Sequence, residues 1–70
     1  MFWTNTQGNQ NMKILRLTTV MEMTGLPRST IYLYMKQRTF PLQVKLGVRS
    51  VGWLEDEIRG WIEERKYERA

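Results

Sequence analysis

The 70-residue sequence contains neither cysteine nor histidine. Their absence excludes disulfide bonds, thiol chemistry, zinc sites of the Cys/His type and a histidine general base. No apolar run approaches the roughly 18 residues of a membrane span, and the N-terminus lacks the basic-then-apolar order of a signal peptide. We therefore expect a cytoplasmic protein that needs no cofactor or metal and does not contact a membrane.

The chain also lacks the length for more than one small domain. A domain of this size buries only about 60% of its unfolded surface, which leaves no room for the two-lobed cleft of an enzyme. We therefore expect a protein that is not an enzyme. Residues 1–12 are rich in Thr, Asn, Gln and Gly without any periodicity, so we interpret them as a flexible tail and residues 13–70 as the folded domain.

What the sequence does contain is an uneven distribution of charge. Residues 13–52 carry seven Lys or Arg side chains against one Glu, a net charge of +6, whereas residues 53–70 carry four basic and six acidic side chains, a net charge of −2. A compact basic segment attracts polyanions, nucleic acid above all. Charge alone leaves open the alternative of a basic excess without functional meaning.

A short first helix and a tight turn are predicted at the start of the domain. Thr19 and Glu22 have the spacing of a capping box, which predicts a helix at roughly 19–24. Gly25 can adopt the left-handed conformation that ends a helix. The segment before this helix, Ile14–Leu17, is a short apolar entry into the domain.

The second predicted helix has two distinct faces. Pro27 suits the first position of a helix, which we predict at about 27–37. On a helical wheel one arc is apolar and faces the core; it holds Thr30, Ile31, Tyr34 and Met35. The other arc is basic and polar and contains no acid; it holds Arg28, Ser29, Tyr32, Leu33 and Lys36.

A β-hairpin is predicted to follow the second helix. Leu42–Leu46 alternates apolar and polar residues, as a half-buried strand does, and Gly47-Val48 suits a two-residue type II′ turn before a strand from Arg49 to Trp53. This register pairs residue 44 with 51 and 42 with 53. It puts four side chains on the core face, Leu42, Val44, Val51 and Trp53, and leaves two on the outer face, Lys45 and Ser50.

The last predicted helix spans about 54–67. Its buried stripe follows the i, i+4, i+7, i+8 pattern and consists of Leu54, Ile58, Trp61 and Ile62. Gly60 is unfavourable inside a helix, which predicts the close approach of a neighbouring backbone. Trp53 and Trp61 lie on apolar faces, so we predict that they pack in the core; the alternative is a stacking platform for single-stranded nucleic acid.

The resulting order is helix, helix, hairpin, helix, which is a mainly α winged helix-turn-helix with a small hairpin. In that fold the second helix enters the major groove and the hairpin, as a wing, contacts the flanking backbone. Arginine can bind a guanine edge or a phosphate, and hydroxyls near a helix start favour anions. The residues predicted to bind double-stranded DNA are Arg28, Ser29, Thr30, Tyr32 and Lys36 on the helix and Lys45, Arg49 and Ser50 on the wing; each could also belong to an ordinary solvated surface.

Two sequence strings resemble a known family. The segments TGLPRSTIY (24–32) and KLGVRSVGW (45–53), with Ile14–Leu17, Phe40-Pro41 and the closing pattern Glu57-Ile58-x-x-Trp61-Ile62, are similar to the AlpA family of prophage regulatory proteins. The resemblance covers about residues 13–67. It implies a small winged helix-turn-helix of the MerR and excisionase kind. One departure is Pro27, which stands where family members often have a serine as the N-cap of the second helix.

The resemblance also implies a function: DNA binding that activates transcription of prophage excision or related mobile-element genes. Because one small module buries little surface on DNA, we expect a homodimer or several copies on repeated sites, with RNA polymerase or an integrase as further partners. The first alternative is an excisionase-like factor that bends DNA for recombination. An alternative of another class is a protein-interaction module or anti-repressor that docks through Tyr32, Leu33 and Val48.

Overall fold

The structure, a computed structural model, describes residues 13–68. In chain order they form strand β1, helices α1 and α2, the hairpin strands β2 and β3, and helix α3; the bounds are Ile14–Leu15, Leu17–Thr24, Arg28–Lys36, Val44–Gly47, Ser50–Leu54 and Glu55–Lys66. Three helices and an antiparallel hairpin in this order confirm the predicted winged helix-turn-helix. The predicted tail, residues 1–12, lies outside the described residues.

Helix α1 begins at Leu17, two residues earlier than predicted, and the predicted capping box is wrong. Thr19 lies inside the helix, and the capping position is occupied by Arg16, whose extended backbone (φ −86°, ψ 166°) leads into α1 without a side-chain cap hydrogen bond. Packing explains the earlier start. Leu17 packs against the core together with the fully buried Val20, so tertiary burial stabilises a first turn that lacks a cap.

The turn between α1 and α2 has the predicted glycine stop. Gly25 adopts φ 74°, and its N–H donates to the Met21 carbonyl at 2.8 Å. The Thr24 hydroxyl donates to the Val20 carbonyl and accepts from the Leu26 N–H. These bonds give the Met21 carbonyl and the Leu26 N–H partners at the end of α1, where the chain changes direction sharply into α2.

Helix α2 is one residue shorter at each end than predicted, because Pro27 is the last extended residue (φ −70°, ψ 161°) and not the first helical one. The two predicted faces are confirmed. Ile31 is fully buried, and the other members of the core arc are half-buried. Every member of the basic and polar arc is exposed, which leaves this face open to a partner.

Helix α2 ends in a Schellman motif built around an arginine. The Thr39 N–H donates to the Tyr34 carbonyl at 2.9 Å, and the Arg38 N–H donates to the Met35 carbonyl at 3.1 Å. Arg38 adopts φ 63°, a left-handed conformation that costs an L-residue about 1–2 kcal/mol. These bonds turn the chain toward Phe40, whose side chain is buried in the core.

The wing is part of a three-stranded sheet in the order β1-β3-β2, and its third strand is not in the sequence prediction. β1 comes from the apolar entry segment and pairs antiparallel with β3, so that Ile14 lies opposite Leu54 and Leu15 opposite Trp53. The Lys13 carbonyl extends this pairing by accepting from the Glu55 N–H at 2.9 Å. Two residues are too few to show the apolar-polar alternation of a strand, and β1 is formed only because it pairs with β3.

The predicted hairpin register is wrong by one residue. Lys45 lies opposite Val51, Val44 opposite Gly52, and Gly47 opposite Ser50, so the turn consists of residues 48 and 49 and an irregularity falls between 45 and 47. The predicted outer pair of Lys45 and Ser50 is therefore not formed. The observed register places Val44 opposite Gly52, the residue on which β1 packs closely, so pairing along the strands sets the alignment rather than the turn glycine.

Burial corrects one further prediction for the hairpin. Leu42, predicted to face the core, precedes β2 and is 46% exposed. Trp53 is fully buried as predicted, and its indole Nε1–H donates to the Pro41 carbonyl at 3.1 Å. That hydrogen bond ties the segment before β2 to the core and leaves Leu42 on the surface.

The hydrophobic core of the described residues consists of six buried side chains, one each from β1, α1, α2, the segment before β2, β3 and α3. They are Leu15, Val20, Ile31, Phe40, Trp53 and Ile58. The predicted stripe on α3 is confirmed for Ile58, Trp61 and Ile62, which pack in or against this cluster, whereas Leu54 is the last residue of β3 and not part of the helix. The Trp61 Nε1–H donates to the Thr39 carbonyl at 2.7 Å. Trp61 therefore fixes the end of the α2 turn to α3, and neither Trp53 nor Trp61 is a free stacking platform.

Gly60 does not have the close neighbour predicted for it. A Cβ at this position of α3 would meet nothing within 4 Å, and the backbone is ordinary helix. Gly60→Ala should therefore raise the free energy of unfolding by about 0.5–1 kcal/mol, because alanine loses less conformational entropy in a helix. Thermal unfolding followed by circular dichroism measures this gain; a loss of stability would reveal a contact that Gly60 requires.

Candidate nucleic-acid interface

The exposed face of α2 carries the first group of predicted DNA-binding residues. Arg28, Ser29, Tyr32 and Lys36 are exposed, and Thr30 is half-buried at the edge toward the core. No acidic residue lies in the first turn of α2, where the first backbone N–H groups have no helical partner. This end of the helix is therefore suited to a phosphate or to the acceptor atoms of a base edge.

The wing carries the second group. Lys45 on β2 and Arg49 in the turn are exposed, and Ser50 at the start of β3 is half-buried. Val48, beside Arg49, is 92% exposed and forms the tip of the hairpin. A two-stranded ribbon with two outward cations around its tip is suited to the sugar-phosphate backbone next to a groove.

Helix α1 joins the two groups, since it packs against α2 and against β3. Arg16 reinforces this junction, because its Nη1 donates to the Val51 carbonyl of the wing at 2.7 Å. Sequence reasoning did not assign Arg16 a role. In the sequence Arg16 is visible only as a basic residue directly before α1. No local pattern predicts its contact with Val51, because the two residues are 35 positions apart. We interpret Arg16 as a positioning residue for the wing.

The cations of this surface differ from those of α3 in their partners. The cations of α3 have acidic partners: Arg59 pairs with Glu55, Lys66 with Glu63, and Arg65 with Glu68 just after the helix. Within residues 13–68 no ion pair involves any of the predicted DNA-binding cations, which are Arg28, Lys36, Lys45 and Arg49. Acidic side chains thus neutralise cations on α3, whereas the α2 face and the wing keep a net positive field.

Neither a metal centre nor a membrane span finds support in the described part of the chain. Residues 13–68 contain no cluster of three or more His, Cys, Asp or Glu that could hold a metal ion. Over the same residues, no helix has both the length and the hydropathy needed to cross a bilayer. The basic surface of α2 and the wing is the site to be explained.

Two known proteins are similar to this chain. One is the "DNA-binding transcriptional activator AlpA" of Escherichia coli (strain K12), which is 43% identical over 60 residues; these cover 77% of this chain and 86% of that protein. The other is the "Uncharacterized protein ORF88" of Enterobacteria phage P4, which is 44% identical over 50 residues; these cover 71% of this chain and 57% of that protein.

A family model also matches most of the domain. The model described as "Prophage CP4-57 regulatory protein (AlpA)" matches residues 13–66, which include all six elements and both groups of predicted DNA-binding residues. This match and the 43% identity confirm the resemblance found in the sequence. The chain belongs to the AlpA family of prophage regulatory proteins.

Proposed function

We propose that the protein is a sequence-specific regulator of transcription that binds double-stranded DNA and acts on prophage or mobile-element genes. The observation that carries this proposal is the exposed face of α2, which contains no acidic residue and follows the tight turn at Gly25. The cations on this face form no ion pair with an acidic side chain of the described residues. A relative with 43% identity is named a DNA-binding transcriptional activator. The site of action would be the bacterial cytoplasm, on the nucleoid when bound.

In this proposal α2 lies in the major groove and the wing lies on the flanking backbone. Arg28 reads a base edge or binds a phosphate at the start of α2, with Ser29 and Thr30 beside it. Tyr32 and Lys36 extend the contact along the exposed face. Lys45, Arg49 and Ser50 of the wing supply backbone contacts, which add affinity and fix the register but carry little sequence information.

An excisionase-like role uses the same contacts to bend DNA for recombination. A bending assay and an integrase-dependent recombination assay separate it from transcriptional activation. The protein partner of an excisionase-like factor would be an integrase, and that of a transcriptional activator would be RNA polymerase. A small module gains affinity on either kind of DNA site by binding as a dimer or in several copies.

A protein-interaction role has one specific observation in its favour. Leu33 is 49% exposed, Tyr32 39% and Val48 92%, so these three side chains are accessible to a protein partner. The same α2 face and wing would then form the anchor of a protein partner. Its binding would depend on apolar burial rather than on cations.

Salt dependence separates DNA binding from apolar docking. If four cations bind phosphates, the logarithm of the affinity for duplex DNA should fall with the logarithm of salt concentration at a slope of about −3 to −4. Fluorescence anisotropy with a duplex selected from a random pool measures this slope. Binding with a slope near zero, or no duplex selected at all, would contradict the proposal.

Lys45→Ala tests the wing. Since Lys45 is exposed on β2 and lies opposite Val51, its removal should leave the fold intact. We expect weaker binding by the same factor on preferred and unrelated duplexes, with a salt slope smaller by about 0.9 for one lost phosphate contact. Equal affinity for wild type and variant would remove the wing from the interface.

A further inference from the structure

A second surface of the molecule is an open groove between the segment 38–44 and α3. Its floor is apolar, with Phe40, Leu42, Leu54 and Trp61 among its lining residues. Its rim is charged and carries both signs: Arg38 and Arg65 are basic, Glu57 and Glu64 are acidic. None of the eight predicted DNA-binding residues lines this groove. The groove is therefore a surface separate from the proposed DNA site.

The groove has a fixed shape. Phe40 packs edge-on against Trp61, with ring centroids 4.9 Å apart, and the Trp61 indole holds the Thr39 carbonyl. The guanidinium of Arg65 lies 4.4 Å from the centroid of the same indole ring. A surface held in this way loses little conformational entropy when a partner docks.

The charges on the rim are largely uncompensated. No ion pair within residues 13–68 involves Arg38, Glu57 or Glu64. Arg38 is exposed, and its backbone adopts a left-handed conformation that glycine would adopt without steric cost. A purely acidic or purely basic partner would match one half of this rim and be repelled by the other.

We propose that a second copy of this chain docks at the groove across a two-fold axis. Such an interface brings the same surface of both copies together, so the surface must complement itself. An apolar floor with both signs of charge on its rim meets that condition in polarity and in charge. Arg38 of each copy then faces Glu57 and Glu64 of the other, and the exposed Leu42 side chains of both copies are buried between them.

We expect this contact to be weak in the absence of DNA, because only a small part of the chain forms the groove. A stable interface buries about 800 Å² on each partner. The described chain has 5247 Å² of accessible surface in total, and the groove is formed by one side of α3 and one seven-residue segment. We therefore expect dimers at high protein concentration, and cooperative binding when two copies occupy neighbouring DNA sites. The DNA part of this expectation rests on the proposed function, whereas self-association in solution does not.

Charge reversal tests the interface. Arg38→Glu should abolish self-association seen by sedimentation equilibrium, and the double variant Glu57→Arg, Glu64→Arg should do the same. Mixing the two variants should restore dimers, because every reversed charge then faces an opposite one. Arg59→Glu is the matched control, since it makes the same change of charge on α3 at a residue that does not line the groove.

DNA provides the second readout. On a duplex with two neighbouring selected sites, wild type should bind with a cooperativity of about 10-fold, within the roughly 5–150-fold range of such couplings. Arg38→Glu should lose this cooperativity while Arg59→Glu retains it. Equal self-association of wild type and Arg38→Glu, or no dimers in the mixture, overturns the inference. Failure of wild type to bind a single site contradicts the proposed function instead, and sedimentation still decides the inference.

Discussion

Gly52→Ala is expected to lower the free energy of unfolding by about 1–3 kcal/mol, the usual cost of an overpacked core. Gly52 is buried in the central strand β3. A Cβ there would lie 2.9 Å from the Leu15 carbonyl oxygen and closer still to Cγ2 of Ile14. Ile14 could change rotamer, but the carbonyl belongs to the backbone of β1, so β1 and β3 would have to separate.

Urea unfolding followed by circular dichroism measures this loss, and Gly60→Ala is the control. Both substitutions add one methyl group to a glycine, yet we expect them to change stability in opposite directions. The difference arises because the Cβ at 60 meets open space and the Cβ at 52 meets β1. Unchanged stability of the Gly52 variant would mean that β1 does not pack on β3 as described.

Arg28→Ala is expected to lower affinity for the preferred duplex by about 1–3 kcal/mol, or roughly 5- to 150-fold, and to relax preference at one base pair. Arg28 is exposed at the first residue of α2, with no acidic neighbour in that turn. Because its side chain is exposed, its removal should leave stability unchanged. The affinity change can therefore be attributed to the DNA contact.

Competition binding with all single-base variants of the selected duplex checks this result. Arg59→Ala is the control, because Arg59 is an exposed arginine of α3 that pairs with Glu55 at 3.3 Å. It should leave both affinity and base preference close to wild type. If Arg28→Ala lowers affinity equally on every duplex, Arg28 contacts a phosphate and does not read a base.

Local chemistry in the sequence is sufficient to predict the helices and the two faces of α2. Gly25 marks the end of α1, and the spacing of Ile31 and Ile58 with their neighbours gives a buried stripe of helical period. These features depend on residues three or four positions apart, which one short window contains. The acid-free outer face of α2 follows from the same window. The order of the elements predicts the fold, and the resemblance of the strings TGLPRSTIY and KLGVRSVGW indicates the family.

The strand β1, the hairpin register and the start of α1 depend on contacts between distant residues. Leu15 pairs with Trp53, and Arg16 bonds to Val51; neither pairing leaves a signal in a local window. The turn glycine Gly47 predicted one register, whereas the structure has another, in which Val44 lies opposite Gly52 and β1 packs closely on that glycine. A turn preference is a local signal, and pairing along whole strands outweighs it. Local propensities thus specified the elements and their exposed faces, and long-range packing specified how the wing is aligned.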